Sequence, residues 1–229
     1  RISRNIILTE AGELLCKYAN EMNDMQGSLE RDMQELNTTT VGRLRIGASA
    51  TIGEYIAPSV LADFKKHYPK VSLSLEVANS DEIEIAIHDT TLDIGLVEGP
   101  PIGKDLESIP FLDDELVVIT SPNHPWSELD TISVFELDRY PFISREKGSG
   151  TLAEIHSYMK KAGFSPNNLN IMMKLGSTKA IKTAVQNGVG FTIISRWAVK
   201  KELKNGTLAM IKLKEDKFKR QFRIVYHKK

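Results

Sequence analysis

Four short stretches combine small residues with hydroxyl or amide side chains: Ala48-Ser49-Ala50-Thr51, Asn79-Ser80, Gly148-Ser149-Gly150-Thr151 and Gly176-Ser177-Thr178. Each follows an apolar, strand-like run and precedes a helical spacing, and such a junction suits one task, holding a small anion. Glycine lets backbone approach a ligand, a hydroxyl adds a donor, and the unpaired N–H groups and dipole of a helix N-terminus favour negative charge. The richest of the four is the Gly-rich turn within Ser144–Thr151, where Arg145 and Lys147 add cations. Its spacing matches neither GxxxxGK[ST] nor GxGxxG, so a small carboxylate or inorganic oxyanion fits better than a nucleotide. Simple N-capping by Ser or Thr accounts for any one junction alone. Four of them aimed at one cleft argue for a ligand.

Catalytic chemistry is poorly supported. His67, His88, His124, His156 and His227 are scattered, without the partner spacing of a metal site. No G-x-S-x-G elbow occurs, and the Gly-Ser-Gly turn has no His at a recognisable distance. The pairs Asp81-Glu82 and Asp113-Asp114 read as a helix start and a turn, where carboxylates are common for dipole and turn reasons. The single cysteine, Cys16, forbids an internal disulfide and a two-thiol switch, and reads as a packed thiol. Neither enzyme activity, nor metal, nor cofactor is expected.

The elements that position these junctions alternate. Gly42–Ser49 reads as a strand, Ile52–Tyr68 as a helix with Pro58 in its first turns and Pro69 as its stop, Val71–Val77 as a strand, Ser80–His88 as a helix and Leu92–Val97 as a strand. Leu106–Phe111 and Glu115–Thr120 read as two closely spaced strands, and Ser121-Pro122-Asn123-His124-Pro125 as a break. The alternation then restarts: strand Pro141–Ser144, helix Thr151–Ala162, strand Leu169–Lys174, helix Thr178–Asn187, strand Phe191–Ser195 and helix Trp197–Leu203. Strands Leu208–Leu213 and Arg220–Tyr226 close the chain. Strands alternating with helices imply βαβ units. The economical architecture is two similar α/β halves joined near residue 120, with a cleft between them where strands end and helices begin.

A different grammar precedes them. After Thr9, a helix cap, apolar or bulky residues recur at Leu15, Tyr18, Met22, Met25, Leu29, Met33 and Leu36 in steps of three and four, close to a heptad seam. A narrow seam with no neighbouring core calls for a partner helix, so homodimerisation is expected; packing on the chain's own globular body is the alternative. Asn37–Thr40 read as a short linker.

The 229 residues balance thirty Lys and Arg against thirty Asp and Glu, which argues against a surface that binds nucleic acid by charge alone. The distribution is uneven: residues 1–36 carry net −3, 37–195 net −6 and 196–229 net +9. The basic end reads as a solvated helix face and a Lys-rich edge that resists sheet aggregation, with a secondary nucleic-acid contact as the other reading. No apolar run reaches 18 residues, so no membrane span is expected, and with no signal peptide the chain reads as a cytoplasmic piece of something longer.

Arg1 and Arg4 followed by Leu8-Thr9-Glu10-Ala11-Gly12 resemble the end of the winged helix-turn-helix and the start of the linker helix of LysR-type transcriptional regulators. Gly42-Arg43-Leu44-Arg45-Ile46-Gly47, Tyr68-Pro69, Leu92-Asp93-Ile94-Gly95-Leu96, Ser121–Pro125 and Gly188-Val189-Gly190-Phe191 are similar to that family's effector-binding domain, in the same order over the whole chain. The resemblance implies an α/β fold like type 2 periplasmic binding proteins, two lobes joined by crossover strands behind a long linker helix. It implies residues 1–40 as wing remnant and dimerisation helix, 41–120 as lobe I with 214–229 returning to it, and 121–213 as lobe II.

It further implies a homodimer or homotetramer that binds DNA through helices absent from this chain, of which Arg1 and Arg4 are the remnant, with RNA polymerase as a further candidate partner. A small anionic effector in the cleft would shift the quaternary state. The family's cleft-lining positions fall on Ser49, Ala50 and Thr51, and on Ser144, Ser149, Thr151, Ser177 and Thr178; Asn79 joins them from the junction argument alone. The Arg145–Thr151 stretch looks like a subset linked to sulfur or carbon metabolism. The peroxide-sensing branch does not fit, because Cys16 lies outside the effector domain. A transporter's solute-binding protein with the same two lobes is the alternative function.

Overall fold

The computed structural model describes residues 9–35, 40–101, 103, 105–215 and 218–228; the side chains of Asp24 and of residues 28–35 are not described. Arg1, Arg4 and Leu36 lie outside the described residues, as do the side chains of Leu29 and Met33. Helix α1 (Glu10–Glu35) carries Glu10 and Glu13 in its first turn, where the helix dipole favours them. Leu15, Tyr18, Met22 and Met25 stand 55 to 74% exposed along it, and Leu14 joins them. Cys16 is exposed, not packed as the sequence led us to expect.

The first lobe contains β1 (Gly42–Ser49), α2 (Ala50–Tyr55), α3 (Ala57–His67), β2 (Val71–Ala78), α4 (Ser80–His88) and β3 (Ile94–Glu98). The single helix expected over Ile52–Tyr68 is two helices meeting at Ile56 (φ −123°, ψ −57°). Pro58 has no N–H to return to the Glu54 carbonyl, and its ring collides with that carbonyl, so the helix breaks ahead of it. β1 pairs in parallel with β2 and β3. Gly47 and Gly95 pair across β1 and β3, and Ile83 and Ile87 of α4 press directly onto their backbone. On the other face Ala48, Ile52, Ile56 and Ala57 pack with Phe222.

Strand β4 (Leu106–Thr120) is continuous for 15 residues, where two strands were expected. The Asp113-Asp114 pair that reads as a turn stays extended because β10 (Lys219–His227) runs antiparallel beside it, Arg220 opposite Asp114. Beyond Glu115, β4 changes partners: β8 (Thr192–Ser195) pairs with Leu116–Ile119 and β9 (Ala209–Leu213) with Val118–Thr120. One strand therefore belongs to both lobes.

The second lobe adds β5 (Thr131–Ile132) beside β9 and two short 3₁₀ turns, at Val134–Glu136 and Pro166–Asn168, that the sequence reading did not anticipate. β6 (Phe142–Arg145) and β7 (Ile171–Leu175) pair in parallel, and Phe142 bridges Phe191 at the entry to β8. α5 (Gly150–Lys161), α6 (Thr178–Gln186) and α7 (Arg196–Lys204) cover this sheet. Its cores are Phe142, Phe191, Ile132, Leu137, Ile155 and Met159 on one side, and Ile119, Ile143, Val185 and Val199 on the other. Each such side chain contributes about 1.5–3 kcal/mol of burial.

Candidate functional site

The carboxyl ends of the strands in both lobes converge on the middle of β4. Glu98 at the end of β3 pairs with Phe222, which faces Leu112, whereas Ser195 at the end of β8 pairs with Leu116. Four residues of strand, about 13 Å, separate these levels. Ser80 and Thr151, from two of the junctions singled out in the sequence, reach this seam.

A buried charge network fills part of it. The Arg220 guanidinium donates from Nε to Asp114 Oδ2 at 2.8 Å and from Nη1 to Thr151 Oγ1 at 3.0 Å, with Nη2 3.9 Å from Glu98 Oε1. Ser195 donates to Asp114 at 2.8 Å, and Ser80 and Thr151 donate to Glu98 at 3.1 and 3.3 Å. Burial pushes the Asp114 carboxyl above its ordinary range, against the pull of Arg220 and Ser195. This network ties β3, β4 and β10 to α4, α5 and β8, hence one lobe to the other.

The four junctions are used in two ways. Asn79 forms a capping box: its side chain accepts the Glu82 N–H, and Glu82 returns the bond, both at 3.0 Å. Ser149 accepts the Leu152 N–H at 3.4 Å, and Ser177, which is exposed, accepts the Ala180 N–H at 3.3 Å. These three side chains serve as caps. Ser144 is buried and donates to the Arg145 carbonyl, and Thr151 lies in the network above. Ser49 also stands at a helix N-terminus but makes no capping bond. Among the described residues its Oγ and Thr178 Oγ1 are buried without a partner, on residues 2% and 1% exposed, and Arg220 Nη2 likewise has no hydrogen-bond acceptor. Ala50 and Thr51 are buried beside Ser49.

Two junctions meet directly. Asp81 N–H donates to the Gly148 carbonyl at 3.4 Å, and a Cβ on Gly150 would stand 2.6 Å from Ser80 Oγ and 2.8 Å from Glu98 Oε2. Gly148 has φ +87°, and a Cβ there would lie 2.9 Å from Asn79 Oδ1. Both positions need glycine, one for the left-handed backbone and both for the close approach. Arg145 is held by its neighbour Glu146 through two 2.8 Å bonds, which occupies a cation that looked available from sequence.

A second contact between lobes links the helices behind Ser49 and Thr178. Lys182 on α6 donates to Glu202 Oε1 at 2.6 Å and to the Ala198 carbonyl at 2.8 Å, and lies 5.0 Å over the Tyr55 ring of α2. Burial alone would lower the Lys182 pKa, but its bonds to Glu202 and Tyr55 raise it.

Sequence reasoning missed Glu98, Asp114, Arg220, Ser195, Tyr55 and Lys182. Asp114 looked like a turn residue and Arg220 like one of many cations on a solvated edge. The available signal was a carboxylate inside two otherwise strand-like runs, which calls for a buried partner.

The LysR substrate-binding-domain family model matches residues 37–229. A probable RuBisCO transcriptional regulator of Cyanidium caldarium is 34% identical over 98% of this chain and 72% of its own length. The transcriptional activator CmpR of Synechocystis is 33% identical over 100% of this chain and 74% of its own. Among solved structures, the regulatory domain of Synechocystis CcmR in complex with 2-PG superposes with a TM-score of 0.74 at 31% identity, covering 81% of this chain and 88% of that one. An OxyR structure from Corynebacterium glutamicum superposes with TM-score 0.77 at 21% identity over 99% of this chain and 71% of that one, a likeness of fold.

Proposed function

Because this chain belongs to the LysR family of effector-responsive transcriptional regulators, with the fold of type 2 periplasmic binding proteins, we propose that a small anion bound at the seam between its lobes is the signal it reads. The observation that carries this reading is that three buried donors, Ser49 Oγ, Thr178 Oγ1 and Arg220 Nη2, are among those without a hydrogen-bond partner among the described residues. A buried polar atom left without a partner costs about 1–3 kcal/mol. An anion accepting from two hydroxyls and a guanidinium would remove that cost three times over. Ser49, Ala50 and Thr51 form one wall of this site, and Ser144, Thr151 and Thr178 the other. Asn79, Ser149 and Ser177 hold the helix ends in place around it. The related CcmR regulatory domain is solved in complex with a small molecule, 2-PG, which supports a ligand-binding role for this domain.

Lobe I comprises residues 41–120 with 214–229 returning to it, and lobe II 121–213, a division supported by the change of partners along β4. An anion drawing Ser49 and Thr178 together alters the angle between these lobes. The exposed row Leu15, Tyr18, Met22 and Met25 supports pairing of α1 with a second copy, which would carry the change to a DNA-binding helix-turn-helix preceding Arg1. The chain acts in the cytoplasm as a dimer or tetramer on DNA, with RNA polymerase as its downstream contact, and catalyses no reaction. The regulator relatives support this function over that of a transporter's solute-binding protein.

Titration with 2-PG, inorganic phosphate and sulfate tests the site. A ligand at a hundred times its Kd stabilises the folded chain by about 2.7 kcal/mol, a rise in Tm of about 5–10 °C. Ser49→Ala with Thr178→Val should abolish that rise. No rise with any of the three anions at millimolar concentration would sink the reading.

A further inference from the structure

A separate cavity of about 570 Å³ lies where α4 and the end of β3 face the β6–α5 turn. Its charges are sorted by lobe. Lobe I contributes Asp81, Glu84 and Glu98; lobe II contributes Arg145, Lys147 and Lys174, with Glu154 as its one carboxylate. Asp81, Lys147 and Lys174 are exposed, and none of them takes part in an ion pair among the described residues. Arg145 is committed to Glu146, so the available positive charge is that of the two lysines. At the base, the buried Glu98 carboxylate accepts from Ser80 and Thr151 and faces the Arg220 guanidinium at 3.9 Å, so the exposed Asp81 is the lobe I carboxylate open to a ligand. Gly148 and Gly150 keep this floor low, since a Cβ at either would meet Asn79, or Ser80 and Glu98.

A purely anionic ligand would meet the carboxylate wall, and a purely cationic one the lysines. Only a molecule with both charges, set apart by a few bonds, satisfies both walls. We propose that this cavity is a second ligand site, specific for a compact zwitterion whose ammonium faces Asp81 and whose carboxylate or other anionic group faces Lys147 and Lys174. Such a ligand bridges the lobes from the α4 side, so it also favours their closed arrangement. The cavity adjoins the anion seam through Glu98, which accepts from Thr151 and lies 3.9 Å from Arg220 Nη2, but none of the three unpartnered donors lines it.

The probes are 5-aminopentanoate, pentylamine and pentanoate, one chain length with both charges or with either alone, titrated calorimetrically at low salt. The expected result is that 5-aminopentanoate binds at least tenfold tighter than either single-charge compound. Lys147→Ala with Lys174→Ala should weaken 5-aminopentanoate about tenfold and leave pentylamine binding unchanged, whereas Asp81→Asn should do the reverse with pentanoate as the unchanged probe. Ser49→Ala with Thr178→Val should leave 5-aminopentanoate binding intact even though 2-PG binding is lost, which separates the two sites. Equal affinity for the three probes, no detectable binding of any, or insensitivity to the lysine pair would each overturn the proposal.

Discussion

Ser49 and Ser149 occupy the same kind of position, the residue before a helix that follows a strand, and both are almost fully buried. Ser149 gives its oxygen to the helix behind it, whereas the Ser49 oxygen has no partner among the described residues. The same contrast separates Ser177, a cap, from its neighbour Thr178, an orphan. A hydroxyl satisfied by its own backbone maintains the scaffold, and one that the scaffold leaves unsatisfied is available to a ligand. Residue type and location do not distinguish the two roles; the local backbone and the packing above it do.

The largest expected effect comes from the group that holds both kinds of junction together. Arg220→Ala leaves Asp114 and Glu98 as buried carboxylates without their cation, and should cost about 3–5 kcal/mol, read as a lowered urea midpoint. Gly148→Ala should cost about 1–3 kcal/mol by forcing a side chain into a left-handed conformation against Asn79, measured in the same way. Removing a cap, by Asn79→Ala, should cost about 1 kcal/mol with little change in affinity for the proposed anionic ligand. Ser49→Ala should invert that pattern, with stability unchanged or slightly raised and affinity for the proposed anionic ligand lost. If Ser49→Ala destabilises as much as Asn79→Ala while binding survives, the distinction between cap and orphan fails.

The smallest effect is in pH. Burial lowers the pKa of His124 below its ordinary 6.5, and burial together with Lys160 lowers that of His156. The unfolded chain then binds more protons than the folded one, so their contribution to stability is present above pH 6.5 and is lost as the pH falls through the folded values. His124→Gln should flatten part of that slope in a pH series of urea melts. Asp114, raised by burial, acts in the opposite sense, its contribution present below the unfolded-state pKa and lost as the pH rises through the folded one.

Much of the scaffold was readable beforehand because it rests on local pattern. The strand–helix alternation, the junctions and the exposed seam of α1 follow from periodicity and from Gly and Pro. The errors have definite causes. Pro58 divides a helix because it acts on the carbonyl four residues earlier, a geometric conflict that a tolerant reading of its first turns passes over. Asp113-Asp114 joins two apparent strands into one because Arg220, over a hundred residues away, lies opposite Asp114.

What the sequence determined by itself was therefore the order of elements, the polar character of the four junctions and a chain with net zero charge distributed unevenly along its length. Only the tertiary structure decided which hydroxyls cap and which stand free, which carboxylates share Arg220, and which charges face each other across a cavity. The reason is physical: periodicity and capping act within a few residues, whereas burial and charge pairing depend on what the rest of the chain brings alongside.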